Sequence, residues 1–414
     1  MAPASDAPKA AATSAGFRAA SHRGVHGFFR AAQDDAGSWW LLDPRGSRFF
    51  LRTVHGIRAA NTQTDGALPR DPAARLQAWG FNATGVSGDP ALRDDGLPFL
   101  ASVEFVEAGR PLVAPGLRLP DVFDPEWPRL AIQRARDTCT ALKESRELVG
   151  WTTDSETEWA PATQHGRPSL LQLCLSLEPA YPAYHAAWEF VLALHGGRIE
   201  SVAHAWNTSI PNKEVVRELT RAEEGLGTRG YLRDDARWCR EFARRYFTTT
   251  AAAIREADPN HLVLGCRFRR PSGHAVVLES TYPSVDVSFL HWLELPATAG
   301  NPSQPILATD VNWTTCKFLD AVPARRIRRL TSVERMLRKA RSALDRMAQH
   351  PAVVGYAWAQ WQDEPGEQPP FASGLMHVNG VEAREHTELI SAFNTRAENL
   401  HRAAESVPTN EEKL

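Results

Sequence analysis

The sequence predicts an α/β fold, a (β/α)8 barrel, on three observations. Eight short apolar runs recur along the chain: Arg48–Gly56, Asn82–Ser87, Phe99–Phe105, Leu148–Thr153, His261–Phe268, Val285–His291, Pro305–Val311 and Val353–Trp361. Helical patterns separate most of them, and several runs are apolar nearly throughout, as strands covered on both faces must be. The length, 414 residues, suits one elaborated barrel, since such barrels run from about 200 to more than 400 residues.

The elements follow in order. The Ala-rich start, residues 1–20, carries Asp6 and Lys9 and lacks the continuous apolar core of a secretory signal. A disordered leader and a cytoplasmic location are expected. Ser38–Leu42 and Arg48–Thr53 flank Asp43-Pro44-Arg45-Gly46-Ser47, two aromatic-rich runs around a Pro/Gly turn, which predicts an N-terminal β-hairpin. The second run continues through Val54-His55-Gly56 as the first barrel strand. The barrel is expected over residues 21–403. One amphipathic helix precedes the fourth strand with Leu130, Ala135, Cys139 and Leu142 on its apolar side. Another carries Val333, Met336, Leu337, Ala340, Leu344 and Met347 at helical spacing. Thr157 to Asn260 is a long, elaborated connection between strands 4 and 5, with helical stretches at Leu170–Leu177, Trp188–Leu194 and Trp238–Ile254. A polar tail over 404–414 is expected to fray.

Composition excludes several function classes. Net charge is −2, from 47 basic and 49 acidic residues, so no basic excess points to nucleic acid. The run Arg325, Arg326, Arg328 and Arg329 opens a helical pattern and reads as a solvated face. No stretch approaches the 18 or so apolar residues of a membrane span. The five cysteines are spread out without C-x-x-C spacing, as buried small hydrophobes in a reducing compartment would be. Gly225-Leu226-Gly227-Thr228-Arg229-Gly230 spells a dinucleotide fingerprint. It follows Arg221-Ala222-Glu223-Glu224 where a strand is required, so a surface loop is expected. No metal or organic cofactor is implied, and oligomeric state is not legible. The 13 Trp point elsewhere: flat apolar faces beside polar groups suit a sugar, although most Trp serve as core.

Two strand ends carry the chemistry. Leu148-Val149-Gly150-Trp151-Thr152-Thr153-Asp154-Ser155-Glu156-Thr157-Glu158-Trp159 is an apolar run that stops abruptly in acids. Ile306-Leu307-Ala308-Thr309-Asp310-Val311-Asn312-Trp313 does the same. Catalytic groups of a parallel barrel sit at the C-terminal ends of its strands. Taken singly, each acid is as well explained by a helix cap or an ion pair. Together they place carboxylates at the ends of strands 4 and 7 of one mouth, and glycoside hydrolysis needs two carboxylates across the scissile bond. Strand 8, through Trp358 and Trp361, also ends in aromatics.

At these residues the chain resembles glycoside hydrolase clan A, and most closely the β-agarase family, family 50. The similar stretches are Trp40–Pro44 with Phe49-Phe50, "GFNATG" at Gly80–Gly85, "LVGWTTDSE" at Leu148–Glu156, "AWNTSI" at Ala205–Ile210, "DPNHLVLGCRF" at Asp258–Phe268 and "HPAVVGYAWAQWQDEP" at His350–Pro365. The resemblance implies that Glu156 is the general acid/base and that Asp310 stands at the nucleophile position. On that reading Trp151 and Trp159 raise the Glu156 pKa, while Ser155, Trp159, Arg267, His291, Trp292, Trp313 and Trp361 bind substrate.

Three residues depart from the pattern. Ser155 replaces the Asn that usually precedes the acid/base, Asp310 replaces Glu, and Leu290-His291-Trp292 replaces an Asn and Tyr pattern. Asp is one methylene shorter, which withdraws its carboxylate by about 1.5 Å. Retaining enzymes hold their carboxyls about 5–5.5 Å apart and inverting ones about 6.5–9.5 Å. Asp310 is therefore expected to act as nucleophile or, across a wider gap, as general base. The sequence alternative is a catalytically impaired barrel that binds carbohydrate or acts as a scaffold. A phosphorylated-sugar enzyme would instead show a phosphate site after strands 7 and 8.

Overall fold

The computed structural model describes residues 16–57, 71–114, 117–157, 159, 169–219, 226–268, 275–295, 303–312, 333–364 and 373–403, with backbone alone at 94, 95, 156, 157, 275, 294 and 333–336. The arginine run at 325–329, Cys316, the tail from 404 and the leader up to residue 15 lie outside them. From Gly16 the chain is folded, a correction to the leader expected over 1–20. Arg18 N donates to Gln33 O at 2.8 Å, and Phe17 bridges Asp34.

Strands β1 (Arg30–Gln33), β2 (Trp39–Leu42) and β3 (Arg48–Phe49) form an antiparallel three-stranded sheet. The predicted hairpin is its β2–β3 half. Asp43 Oδ1 builds the turn by accepting from Arg45 N at 3.0 Å and Ser47 N at 2.8 Å. The added strand β1, Arg-Ala-Ala-Gln, has no branched or aromatic residue to announce it.

The barrel strands are β4 (Leu51–Val54), β5 (Ala83–Thr84) and β6 (Phe99–Val103). After a ribbon of β7 (Pro111–Ala114) and β8 (Leu117–Pro120) come β9 (Leu148–Thr157), β10 (Leu262–Phe268), β11 (Ser288–His291), β12 (Ile306–Val311) and β13 (Val353–Trp358). Each barrel strand falls on one of the eight predicted runs, β9 overrunning its own at the C-terminal end. They form one eight-stranded sheet in the order β10-β9-β6-β5-β4-β13-β12-β11, every paired neighbour parallel. At the seam between β10 and β11, Asp286 N and Val287 N both donate to Val263 O, at 2.8 and 3.3 Å.

The interior is filled by side chains. Leu51, Ala83, Leu100, Val149, Leu264, Phe289, Leu307 and Val354, one per strand, belong to one buried cluster with Phe29, Ala31, Trp39 and Leu41 of the N-terminal segment. Trp39 N donates to Pro351 O just ahead of β13, at 2.7 Å. The N-terminal sheet thus caps the barrel floor, and the C-terminal strand ends are left to form the mouth. Neighbouring strands approach closely at two glycines. A Cβ on Gly355 would lie 2.3 Å from Leu51 O, and one on Gly150 would lie 2.5 Å from Leu262 O.

Helices cover the outside. Trp127–Cys139 buries Trp127, Ala131, Ala135 and Cys139, an i, i+4 stripe; the predicted Leu130 and Leu142 flank it, half-buried. Val333–Ala348 buries Ala340, Leu344 and Met347. The long connection supplies helices Leu170–Leu175, Pro182–Leu194, Ile199–Trp206 and Arg229–Ala257, whose apolar sides join the same buried cluster as β6, β9 and β10. The glycine-rich segment before the last of these is not a surface loop from Leu226 on. Leu226 is buried, Thr228 Oγ1 caps Tyr231 N, and a Cβ on Gly230 would meet Ala205 O at 2.0 Å. Its last glycine serves the approach of two helices. Among the described residues no helix is long and apolar enough to cross a membrane, and four cysteines, Cys139, Cys174, Cys239 and Cys266, are buried and form no disulfide.

Candidate active site

The two strands singled out by their acids share a departure from regular pairing. Between Thr152↔Gly265 and Ser155↔Arg267, β9 advances three residues against two of β10. Between Ala308↔Tyr356 and Val311↔Trp358, β12 advances three against two of β13. Each is a β-bulge, a device that re-aims side chains beside active sites. Each also holds an Asp in the left-handed region, Asp154 at φ 60° and Asp310 at φ 55°. Aspartate tolerates that backbone better than most residues, and such strain gathers at functional sites. On β12 the consequence is direct. Thr309 and Asp310 would point to opposite faces of a regular strand, yet Thr309 Oγ1 donates to Asp310 Oδ2 at 2.9 Å.

Arg267, at the end of β10, joins the two strand ends. Its Nε and Nη2 donate to Asp310 Oδ2 and Oδ1 at 3.2 and 2.7 Å, a bidentate pair in which both side chains are buried. Its Nη1 donates to Ser155 Oγ at 3.4 Å. Burial alone would raise the Asp310 carboxyl. The charge and hydrogen bonds of Arg267 outweigh burial and hold it below its usual range, with His55 and His291 adding to them when charged. His55 is itself pushed down to about 3, by burial first and then by Arg267. It is therefore neutral at ordinary pH, and the permanent cation at Asp310 is Arg267.

Asp154 occupies a different environment. It is fully buried, accepts from Val106 N at 3.0 Å and from the Tyr246 hydroxyl, and shares a hydrogen bond with Glu104 at the end of β6. Burial pushes its carboxyl up to about 7 and Glu104 adds to the rise, against the opposing hydrogen bonds of Tyr246 and Val106. Glu104 Oε2 in turn accepts from Ser155 N at 3.3 Å. One strand-end acid thus has its carboxyl held down by a cation, and another has its carboxyl pushed up to about 7 by burial.

The folded Asp154 pKa lies above its unfolded value of 3.8, so the native state keeps a proton that the unfolded chain has lost. That contribution to stability is full at acid pH and is lost as pH rises from about 4 towards 7. In Asp154→Asn the side-chain oxygen still accepts from Val106 N, and the amide donates to the Tyr246 oxygen. The variant is expected to flatten the decline and to be the more stable protein at pH 8, as read by urea unfolding at pH 5 and pH 8. Parallel losses in variant and wild type would show that Asp154 does not carry the proton.

The structure brings together Ser155, Arg267 and Asp310, with His291 close enough to act on Asp310 electrostatically. Glu156 lies in β9 by its backbone, next to Ser155. His291 is buried at the end of β11 and accepts at Nδ1 from Leu293 N, 3.2 Å away; Trp292 follows, half-buried. Trp313 lies outside the described residues.

Three Trp expectations are corrected. Trp159 is 3% exposed, stacked on Phe247 and edge-on to Tyr246 and Phe242, so it offers no face to a sugar. Trp361 is 2% exposed and packs on Trp79. Trp151 points out to the helix layer, its Nε1 donating to Asp258 Oδ2 at 2.7 Å ahead of β10, at the opposite end from the mouth. Sequence reasoning missed His55, Glu104 and Thr309. The first two had a signal, since each is a polar residue that breaks an apolar run near its end.

In comparisons with known proteins, no family model matches the chain. Its sequence is 23% identical over 318 residues to Beta-agarase A of Vibrio sp. (strain JT0107), over 58% of this chain and 31% of that protein. Among solved structures, an exo-β-agarase superposes with a TM-score of 0.68 at 18% identity, covering 93% of this chain and 67% of its own. The agarase AgWH50C gives 0.65 at 18% identity, over 91% and 66%. The chain has the fold of these agarases. It spans about a third of the length of Beta-agarase A and about two thirds of the two solved agarases.

Proposed function

We propose that this chain is a glycoside hydrolase acting on β-linked, galactose-containing oligo- or polysaccharides of the agar type. One observation carries the reading. A single guanidinium, Arg267, contacts both Ser155, which adjoins Glu156, and Asp310, so the two acid-bearing strand ends meet at one place in the mouth. The likeness in fold to solved agarases supports the substrate class. Glu156 protonates the leaving oxygen, and Asp310, kept ionised by Arg267, attacks the anomeric carbon or activates water. Ser155, Arg267, His291, Trp292 and Trp313 contact hydroxyls or sugar faces.

The test is turnover of agarose, agaro-oligosaccharides and aryl β-galactosides, followed by release of reducing ends. NMR of the first product anomer separates a nucleophilic Asp310, which retains configuration, from a basic one, which inverts it. A second reading is favoured by one specific fact: Arg267 occupies both oxygens of Asp310. On that reading the barrel binds carbohydrate without cleaving it. Saturable binding of agaro-oligosaccharides with no reducing ends released by wild type selects it.

A further inference from the structure

We propose that His55 and Thr309 are positioning residues for Asp310, forming a hydrogen-bonded chain whose direction is set by the Val86 amide. Val86 N lies 3.2 Å from His55 Nδ1. An amide N–H only donates, so Nδ1 is the accepting nitrogen and the ring proton of the neutral imidazole sits on Nε2. His55 Nε2 is 3.1 Å from Thr309 Oγ1, which therefore accepts there. The hydroxyl proton is left for a single acceptor, Asp310 Oδ2, at 2.9 Å. His55, Thr309 and Asp310 are 1%, 0% and 4% exposed. No solvent molecule is needed to complete the chain, and every direction in it follows from the first link.

The chain makes the two oxygens of Asp310 unequal. Oδ2 accepts from Arg267 Nε and Thr309 Oγ1, whereas Oδ1 accepts from Arg267 Nη2. A carboxylate oxygen with fewer donors keeps more of its basicity, so Oδ1 is the oxygen that attacks or accepts a proton. This step rests on the proposed role of Asp310; the hydrogen-bond chain does not. Among the described residues the charged or titratable groups acting on Asp310 are Arg267 from β10, His55 from the end of β4 and His291 from β11. Those acting on His55 are Arg267 and Asp310, with the Phe289 ring edge-on at 5.9 Å.

Thr309→Val keeps the branched shape and removes the donor, while Thr309→Ser restores it. With 15N-labelled histidine, the His55 ring, assigned by its loss in His55→Gln, is expected to carry its proton on Nε2 and not to titrate between pH 5 and 8. With 13C-labelled aspartate, the Asp310 carboxyl, assigned by Asp310→Asn, is expected to titrate about one unit higher in Thr309→Val and to return in Thr309→Ser. In the active enzyme the acid limb of kcat/KM moves by the same amount. A His55 proton on Nδ1, a His55 midpoint near the ordinary histidine value, or an unmoved Asp310 titration in Thr309→Val would each overturn the chain. Wild type without turnover but with the expected NMR behaviour overturns the hydrolase reading and leaves the chain standing.

Discussion

Asp310→Ala is expected to cost about 3–5 kcal/mol of stability at pH 7, because it strands the Arg267 guanidinium in a buried site with no carboxylate. Both partners of this bidentate pair are buried, 7% and 6% of their side chains exposed, so water does little to screen the loss. The double variant Asp310→Ala/Arg267→Met removes both charges and is expected to recover most of the cost, since a buried pair replaced by apolar groups is often near neutral. The pH dependence has a fixed sign. The folded Asp310 pKa lies below its unfolded value of 3.8, so the stabilisation is present above that value and is lost as pH falls through the folded pKa. Urea unfolding of wild type, the two single variants and the double variant, at pH 7 and below pH 4, measures the coupling. A single-variant cost under about 1 kcal/mol, the range of exposed pairs, would mean that the clamp does not hold the mouth together.

The same residues show what a sequence can and cannot disclose. The eight barrel strands were legible because strands covered on both faces are written as apolar runs. The acids that end β9 and β12 were legible as interruptions of those runs. The bulges were not. Thr153-Asp154 and Thr309-Asp310 are the same dipeptide at two strand ends, yet nothing local declares that the second residue turns left-handed. That is fixed by pairing with β10 and β13, residues far away in the chain. His55 and Thr309 meet across 254 positions, so each looked ordinary alone. The tryptophans failed for a related reason. Proximity to a strand end suggested an open face for Trp159, but helix Arg229–Ala257 brings Tyr246 and Phe247 against it. Which neighbour covers an aromatic side chain is a property of packing, and composition is silent on it.

Glu156→Gln is expected to lower kcat/KM on agaro-oligosaccharides by about 10²–10⁴-fold, the usual loss when a general acid is removed. The size of the fall depends on the leaving group, and that dependence identifies the role. A sugar alkoxide cannot leave without a proton, so natural oligosaccharides show the whole loss. An aryl β-galactoside with an acidic phenol needs little protonation, so its glycosylation step is expected to survive the change much better. Asp310→Asn removes the group that attacks or activates water, and both substrate types lose turnover together. In β9, Glu156 adjoins Ser155, whose hydroxyl contacts Arg267 and whose amide contacts Glu104. If Glu156→Gln and Asp310→Asn respond identically to the leaving group, the division into acid and nucleophile or base fails. If Glu104→Gln reproduces the leaving-group dependence and Glu156→Gln does not, the acid is at the end of β6 and the assignment passes to Glu104.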